Sequence, residues 1–397
     1  MTTAHTGTVR SMRPARTGTA PSVSERLAAL RTKTTAAGST SQMILLGVVI
    51  LLNVLGLVMV LSASSFTAQH EFGDPWYVFR RQMMWAGLGL GALLVCRAVN
   101  YRVWRRFSTV LVGVSALTCV AVLLPAVGTE VNGSRRWITA GGFSFQPSEL
   151  AKFAVLVFVA DLLARRARHM SNSRLTYRPV MVVLSLVTIP IVIENLGSTV
   201  VIVGSTLVVL FVAGAPLSRL FSTFVGGTVL ATPIVLGTAY RRERLFAFLD
   251  PWSQALGSGY QIVQSQVGIA SGGVSGVGLG ASKAKWGFLP YAHTDFIFAV
   301  IAEETGLIGA ASVVLLFAVL GVVGVRTSLR APDRFGRLLA AGITSWLIIQ
   351  AVINTGAAVG TLPVTGEPLP FVSSGGSALV LAMAASGVLI NIARQAR

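Results

Sequence analysis

The sequence predicts an all-α, polytopic membrane protein of about ten transmembrane helices. A large, partly re-entrant extracytoplasmic loop is expected between the seventh and the eighth. Three observations predict this. The chain is 53% hydrophobic and only 12% charged, whereas a soluble domain carries roughly 25% charged residues. Several apolar runs approach the ~20 residues needed to cross a hydrocarbon core. Most of the 32 Lys and Arg side chains fall in alternate connecting segments, as the positive-inside rule requires of a multi-spanning chain.

Residues 1–40 are rich in Thr, Ala, Ser and Arg without helical periodicity, and read as a disordered basic cytoplasmic tail. The domain that follows, 41–397, opens with the run Met43–Leu61, which is too long for a signal-peptide core and is read as a retained span. The spans are placed at about 43–62, 83–99, 107–125, 149–164, 179–193, 198–214, 220–240, 296–325, 338–357 and 376–393. With the N-terminus inside, the cytoplasmic segments collect "RAVNYRVWRR", "RRARHMSNSRLTYR", the Arg326–Arg337 loop and the terminal Arg394 and Arg397. Both termini are then cytoplasmic, and 241–295 is extracytoplasmic. Within it, "GYQIVQSQVGIASGGVSGVGLG" is too apolar for water and too glycine-rich for a full span, so it must line a cavity or pack on protein. The net charge of +18 is thereby spent on topology, and nucleic acid is not expected as a partner. Cys96 and Cys119 lie in or beside apolar runs without metal spacing, and the four histidines are scattered, so no dedicated metal site is expected.

Four stretches could carry chemistry. In "YAHTDFIFAVIAEETG" (291–306), Asp295 stands at the lip of the eighth span. It could cap that helix through the first-turn amides, or act as a partly desolvated base. Glu303 and Glu304 lie about 12 Å further along the same helix. They suit either a buried hydrogen-bond cluster or an ion path. In "NGSRRWITAGGFSFQPSELAK" (132–152), Arg135, Arg136 and Trp137 fit an anionic lipid headgroup. Pro147 marks a helix start that sets Glu149 and Lys152 at i, i+3, either as a fold-holding ion pair or as a pyrophosphate cation site. "RRERLFAFLDPW" (241–252) describes an amphipathic segment on the outer leaflet, and "LPVTGEPLPFVSSGGSALV" (362–380) an ordered external loop.

These stretches together resemble the SEDS family (shape, elongation, division and sporulation), which contains the FtsW and RodA peptidoglycan polymerases. The matching pieces are "RRWI", "QPSELAK", "RLFAFLDP", "GYQIVQSQVGIASGG", "GLGASKAKWGFLPYAHTDFIFAVIAEETG" and "PLPFVSSGGS", collinear over 43–393. The resemblance implies polymerisation of lipid II into glycan strands on the outer face of the bacterial plasma membrane. It also implies a class B penicillin-binding protein as transpeptidase partner, other division or elongation proteins, and membrane lipids around the bundle. The family's essential aspartate matches Asp295, its Glu–Lys pair matches Glu149 and Lys152, and its tryptophan matches Trp137. The matched motifs add Gln264, Ser265, His293, Ser373 and Ser377 as substrate-binding candidates. Three departures stand out: Asn195 replaces an acid beside Glu194, Ser374 replaces a tyrosine, and Glu367 stands where an apolar residue is usual. Residues 58–82 and the basic tail resemble the division branch, FtsW, and so the septum, while "TGEPLPF" leans toward the RodA branch of elongation.

The implied chemistry needs one base and a set of cations, because the leaving group is already activated. Asp295 would take the proton of the acceptor 4-hydroxyl. Arg136, Lys152, Arg244, Lys283 and Lys285 are the cations available for pyrophosphate. A divalent ion (Mg2+ or Mn2+) could share that load, and no organic cofactor is expected. A lipid II flippase and a non-enzymatic division scaffold are the competing readings.

Overall fold

Each of the ten apolar segments falls on a helix in the computed structural model, which describes residues 23–131, 134–141, 143–170 and 172–396. These helices are α1 (Val23–Phe72), α2 (Tyr77–Ala98), α3 (Arg102–Ala121), α4 (Pro147–Arg165), α5 (Tyr177–Glu194), α6 (Leu196–Val212) and α7 (Leu217–Leu236). Two shorter helices, α8 (Ala239–Leu249) and α9 (Tyr260–Gly272), precede α10 (Ile297–Arg330), α11 (Arg334–Val359) and α12 (Gly376–Gln395). By length and composition, six of the described helices can cross a membrane, α6 being apolar but shorter.

Burial sorts the helices into inner and outer. Of the most apolar stretch of α11 and of α12, 72% is buried, against 22% for α3. Helix α4 is buried along nearly its whole length, Glu149, Lys152 and Asp161 included. The outer helices turn large apolar side chains outward, as α7 does with Leu217, Phe221, Phe224, Val229 and Leu230. Such a surface is stable against lipid tails and costly in water.

Three features refine the sequence expectations. Helix α1 begins at Val23, inside the segment read as an irregular tail, because "ERLAALRTK" is made of strong helix formers; residues 1–22 lie outside the described residues. The fold is not wholly α. Between α3 and α4 runs a three-stranded antiparallel sheet, β1 (Gly128–Val131), β2 (Ser134–Ala140) and β3 (Phe143–Phe145), ordered β1-β2-β3. Its Trp, Ile, Thr and Phe residues favour pleated strands, and strands this short escape a search for long apolar runs. Finally, 241–295 is more than loop, since it holds α8, α9 and a π-turn at Ala284–Phe288.

The glycine-rich stretch after α9 packs on a break in α10. Gly306 adopts φ 68°, and the helix is interrupted there. The N–H groups of Val277 and Gly278 donate to the Glu303 and Glu304 carbonyls at 3.0 and 3.1 Å. Those of Leu307 and Ile308 donate to the Gly273 and Val274 carbonyls at 2.9 and 3.3 Å. A helix break within an apolar bundle is tolerable only when its freed groups find such partners. A Cβ on Gly276 would lie 2.2 Å from the Glu304 carbonyl oxygen, so the approach requires glycine there.

The two ends of the bundle differ in charge. At one end Tyr101 Oη and Arg102 Nε both donate to Asp333 at 2.7 Å, Asn391 Nδ2 donates to the Arg97 carbonyl, and Arg334 donates to the Ala213 carbonyl. Asp333 also caps α11 by accepting from Gly336 N–H. Burial alone would raise its pKa, but the Gly336, Tyr101 and Arg102 donors together hold it below the ordinary carboxylate value. The sheet, α8, the start of α10 and the 361–375 loop gather at the other end.

Candidate active site

The segment 289–296 delivers Asp295 and is held in place mainly through its backbone. Tyr291 sits at φ 60°, a left-handed conformation costly for a side chain with a Cβ. Its carbonyl accepts from the N–H groups of Thr294, Asp295 and Phe296 at 3.1, 3.1 and 3.3 Å. Three consecutive carbonyls are then tied to the C-terminal part of the chain. His293 accepts from Ser374 N–H (3.0 Å), Thr294 from Ser373 Oγ (2.6 Å) and Asp295 from Asn354 Nδ2 (2.8 Å). Helix α10 starts only at Ile297 with Phe296 at the cap position, and no side chain caps it. The capping alternative for Asp295 is therefore corrected: its carboxylate is not spent on the helix.

That carboxylate is partly buried among charges from three elements. Gly366, at φ 74°, stands between Asp295 and Arg136: a Cβ there would be 3.7 Å from Asp295 Oδ2 and 3.8 Å from Arg136 Nη1. Burial pushes the Asp295 pKa from 3.8 up to about 6, against the opposing pull of Arg136 on β2 and Arg244 on α8, with Glu367 adding to the rise. The guanidinium of Arg136 has its Nε buried with no hydrogen-bond partner among the described residues. Arg244 reaches Gln261 Oε1 at 3.5 Å. His293 is partly buried, and that burial lowers its pKa.

Behind Asp295 lies an ion cluster centred on a fully bonded ammonium, with Glu149 Oε2 buried and without a hydrogen-bond partner among the described residues. Lys152 is fully buried and donates to Glu149 Oε1 (2.8 Å), Gln350 Oε1 (3.0 Å) and Glu367 Oε2 (2.6 Å). Glu367 Oε1 accepts from Ser198 Oγ at 2.6 Å, and Gln350 Oε1 also accepts from Trp346 Nε1 at 2.8 Å. All three ammonium protons are thus used, and Lys152 touches no open space. Of the two readings of the Glu149–Lys152 pair, the geometry fits the fold-holding one. Glu367 is the third member of that cluster, and Asn195, another departure, caps α6 by accepting from Ser198 N–H at 3.0 Å.

Glu303 and Glu304 form the second inner cluster. Glu304 accepts from Ser62 Oγ (2.7 Å) and Lys285 Nζ (3.3 Å). Glu303 accepts from Lys283 N–H (2.8 Å), Ala284 N–H (3.3 Å) and Ser282 Oγ. Lys285 is accordingly buried and paired, while the Lys283 side chain is exposed. Ser265 Oγ donates to the Ala358 carbonyl at 2.7 Å and joins α9 to α11. Ser377 Oγ accepts from Gln146 N–H at 3.2 Å, Gln264 is half-buried on α9, and Trp137 is half-buried on β2. Sequence reasoning nominated Lys283, Lys285, Ser265, Ser377, Gln264 and Trp137 as contacts to substrate, and left Glu303 and Glu304 as inner polar supports. The structure brings Asp295, Arg136 and Arg244 together and uses Lys152, Lys285, Ser265, Ser373 and Ser377 as internal ties. It also adds Trp346, Gln350 and Asn354, residues that sequence reasoning missed. They recur every fourth position on α11, a polar seam on one face of an apolar helix, and that spacing was the available signal. Among the described residues no three His, Cys, Asp or Glu side chains stand together as a metal site.

Residues 42–397 match the family described as "Cell cycle protein", whose members are FtsW, RodA and SpoVE. The chain is 40% identical over 360 residues to stage V sporulation protein E of Bacillus subtilis, covering 90% of this chain and 98% of that one. It is 39% identical over 355 residues to the probable peptidoglycan glycosyltransferase FtsW of Geobacter metallireducens, covering 88% and 94%. A chain from a peptidoglycan synthase complex that coordinates polymerization and crosslinking superposes with a TM-score of 0.73 at 30% identity, over 88% of this chain and 96% of that one. Thermus thermophilus RodA superposes at 0.63 and 29%, over 88% and 95%. The chain is a multi-pass membrane protein of the FtsW/RodA/SpoVE family, the SEDS family that its motifs resemble.

Proposed function

We propose that this chain is a peptidoglycan glycosyltransferase that polymerises lipid II at the extracytoplasmic end of the bundle. The observation that carries the reading is a partly buried, uncapped Asp295 whose pKa is raised to about 6, flanked by two arginines. A carboxyl group with that pKa is ionised at neutral pH yet basic enough to take a proton from a sugar hydroxyl. Asp295 removes the proton of the acceptor 4-hydroxyl as its oxygen attacks the donor's anomeric carbon with inversion. The bond from that carbon to the phosphate oxygen breaks, and the lipid pyrophosphate leaves with the electron pair. Arg136, with its unpartnered Nε, and Arg244 stabilise that charge.

The arginine-rich end of the bundle supports cytoplasmic termini, since the remaining polar machinery gathers at the opposite end. Identities of 37–40% to FtsW and SpoVE, against 28–30% to the solved RodA and synthase-complex chains, support a role in septal wall synthesis. The partner is then a class B penicillin-binding transpeptidase, in keeping with the likeness to a synthase complex.

The test is glycan polymerisation from purified lipid II, with and without that transpeptidase. Asp295→Asn should fold and lose about 10²–10⁴-fold in rate. Wild-type polymerisation by the folded variant would remove the base assignment. Lipid translocation across vesicles by the wild type, without glycan, would favour a flippase instead.

A further inference from the structure

Asn354 lies on the buried seam of α11 and is 2% exposed. Its Nδ2 donates both protons, one to the Asp295 carbonyl and one to the Glu367 carbonyl, each at 2.8 Å. Ser373 Oγ links the same two segments, accepting from Leu369 N–H and donating to the Thr294 carbonyl, but its bond does not reach Asp295 itself. Its orientation is not arbitrary: flipping the amide would press Oδ1 against two carbonyl oxygens. Asn354 Oδ1 itself is buried with no partner among the described residues. A buried polar atom left unsatisfied costs stability, so the side chain's placement serves its two donated bonds.

Each bond reaches a different part of the site. Through Glu367, Asn354 is joined to the buried Glu149–Lys152 cluster. Through the Asp295 carbonyl it reaches the one acidic side chain of the site that is not tied down. We propose that Asn354 is a positioning residue, fixing Asp295 against the Glu149–Lys152–Glu367 cluster so that its carboxylate is held between Arg136 and Arg244. The two serine-segment ties to His293 and Thr294 hold the loop, whereas the Asn354 side chain bonds the residue that carries the carboxylate, beside that residue's own N–H bond to the Tyr291 carbonyl. This inference rests on Asp295 being the base.

Losing the tie lets the Asp295 backbone relax toward solvent. The groups facing its carboxylate are Arg136 on β2, Arg244 on α8 and Glu367 on the loop before α12, with His293 on its own segment. Burial is the largest influence on the carboxyl group, so relaxation lowers its proton affinity and moves the acid limb of the rate profile below about 6.

The experiment measures kcat and KM for lipid II from pH 4.5 to 8 (a range of about 3.5 units, chosen to bracket ordinary and raised carboxyl values) in the full-length protein with its transpeptidase. Asn354→Ala, Asn354→Ser and Asn354→Gln are compared with wild type and Asp295→Asn, and folded protein is quantified by size exclusion. Asn354→Ala should lower kcat about 10²-fold, the scale of a misplacement near 1 Å. Its KM should stay within about twofold, and its acid limb should move to lower pH, because the lost tie affects positioning and not substrate contact. Asn354→Gln, which keeps the amide, should recover part of kcat. If Asn354→Ala does not fold, Asn354→Ser carries the same expectation with a smaller loss. A folded variant with wild-type kcat, or a lower kcat on an unmoved acid limb, overturns the positioning role while leaving the base assignment intact. An active Asp295→Asn would overturn the base itself.

Discussion

Three acids stand within ten residues at the start of α10, and their surroundings differ. Glu303 and Glu304 are 2% and 1% exposed, and each carboxylate accepts from at least one backbone N–H and one side chain. Asp295 is partly exposed, caps nothing, and meets two arginines from other elements. The difference teaches where this bundle keeps its chemistry. A charge whose bonding capacity is filled by its own chain holds the fold, as Glu303 and Glu304 hold the 282–285 turn. A charge left short of partners can still react. The same contrast separates Lys152, with three acceptors, from Arg136, whose Nε has none among the described residues.

The largest effect that could break this division is at Lys152. Lys152→Met leaves Glu149 and Glu367 buried without their common cation. Removing one partner from a buried ion pair costs about 3–5 kcal/mol, so the variant should show a much lower thermal unfolding midpoint and poor yield in detergent. Lys283→Met, at an exposed side chain, should change neither by a measurable amount. A Lys152→Met protein of wild-type stability that fails only in polymerisation would return Lys152 to the list of substrate cations.

A smaller effect concerns pH, and it moves activity and stability in opposite directions. The Asp295 carboxyl group has its pKa raised from 3.8 to about 6 on folding. Its contribution to stability is therefore fully present below about 3.8 and is lost as pH rises through about 6. Activity has the opposite sign, since only the ionised form accepts a proton, and the rate should rise through about pH 6. Unfolding followed from about pH 3 to about pH 7 (about 4 units, spanning both values) should show the wild type losing stability relative to Asp295→Asn. Parallel stability curves for the two proteins would mean that Asp295 is not desolvated.

How much of this was legible in the sequence follows from the same physics. Long apolar runs expose the helices, because a span must be apolar over its whole length whatever it packs against. Asp295, Arg136 and Arg244 were legible as charged residues inside matched motifs. What one chain of letters does not encode is saturation. Lys152 and Arg136 both read as cations near a predicted outer face, and only the fold shows that one has met Gln350 and Glu367, which lie 198 and 215 positions away. Glu367 looked like a departure of uncertain effect and is the partner that completes the Lys152 cluster. The sheet escaped notice because its strands are three to seven residues long.

The finest test concerns how β2 is held. Glu194 Oε2 accepts from Ser134 Oγ at 2.7 Å and from Arg135 N–H at 2.8 Å, and Arg136 is the next residue along the strand. These bonds join the C-terminus of α5 to the strand that carries the proposed pyrophosphate ligand. Glu194→Ala removes the oxygen that accepts both bonds at a half-buried position, where a hydrogen bond is worth about 1 kcal/mol. The Asp295 segment does not depend on Glu194, so its ties to Ser373, Ser374 and Asn354 remain. The expected outcome is a KM for lipid II raised about fivefold with kcat changed by less than about twofold, because ground-state binding weakens while the base stays in place. Steady-state polymerisation at a fixed pH of about 7.5, above the raised carboxyl value, measures both constants. A fall in kcat at unchanged KM would mean that the sheet positions the base and not the leaving group, and the boundary drawn between the two clusters would have to include β2.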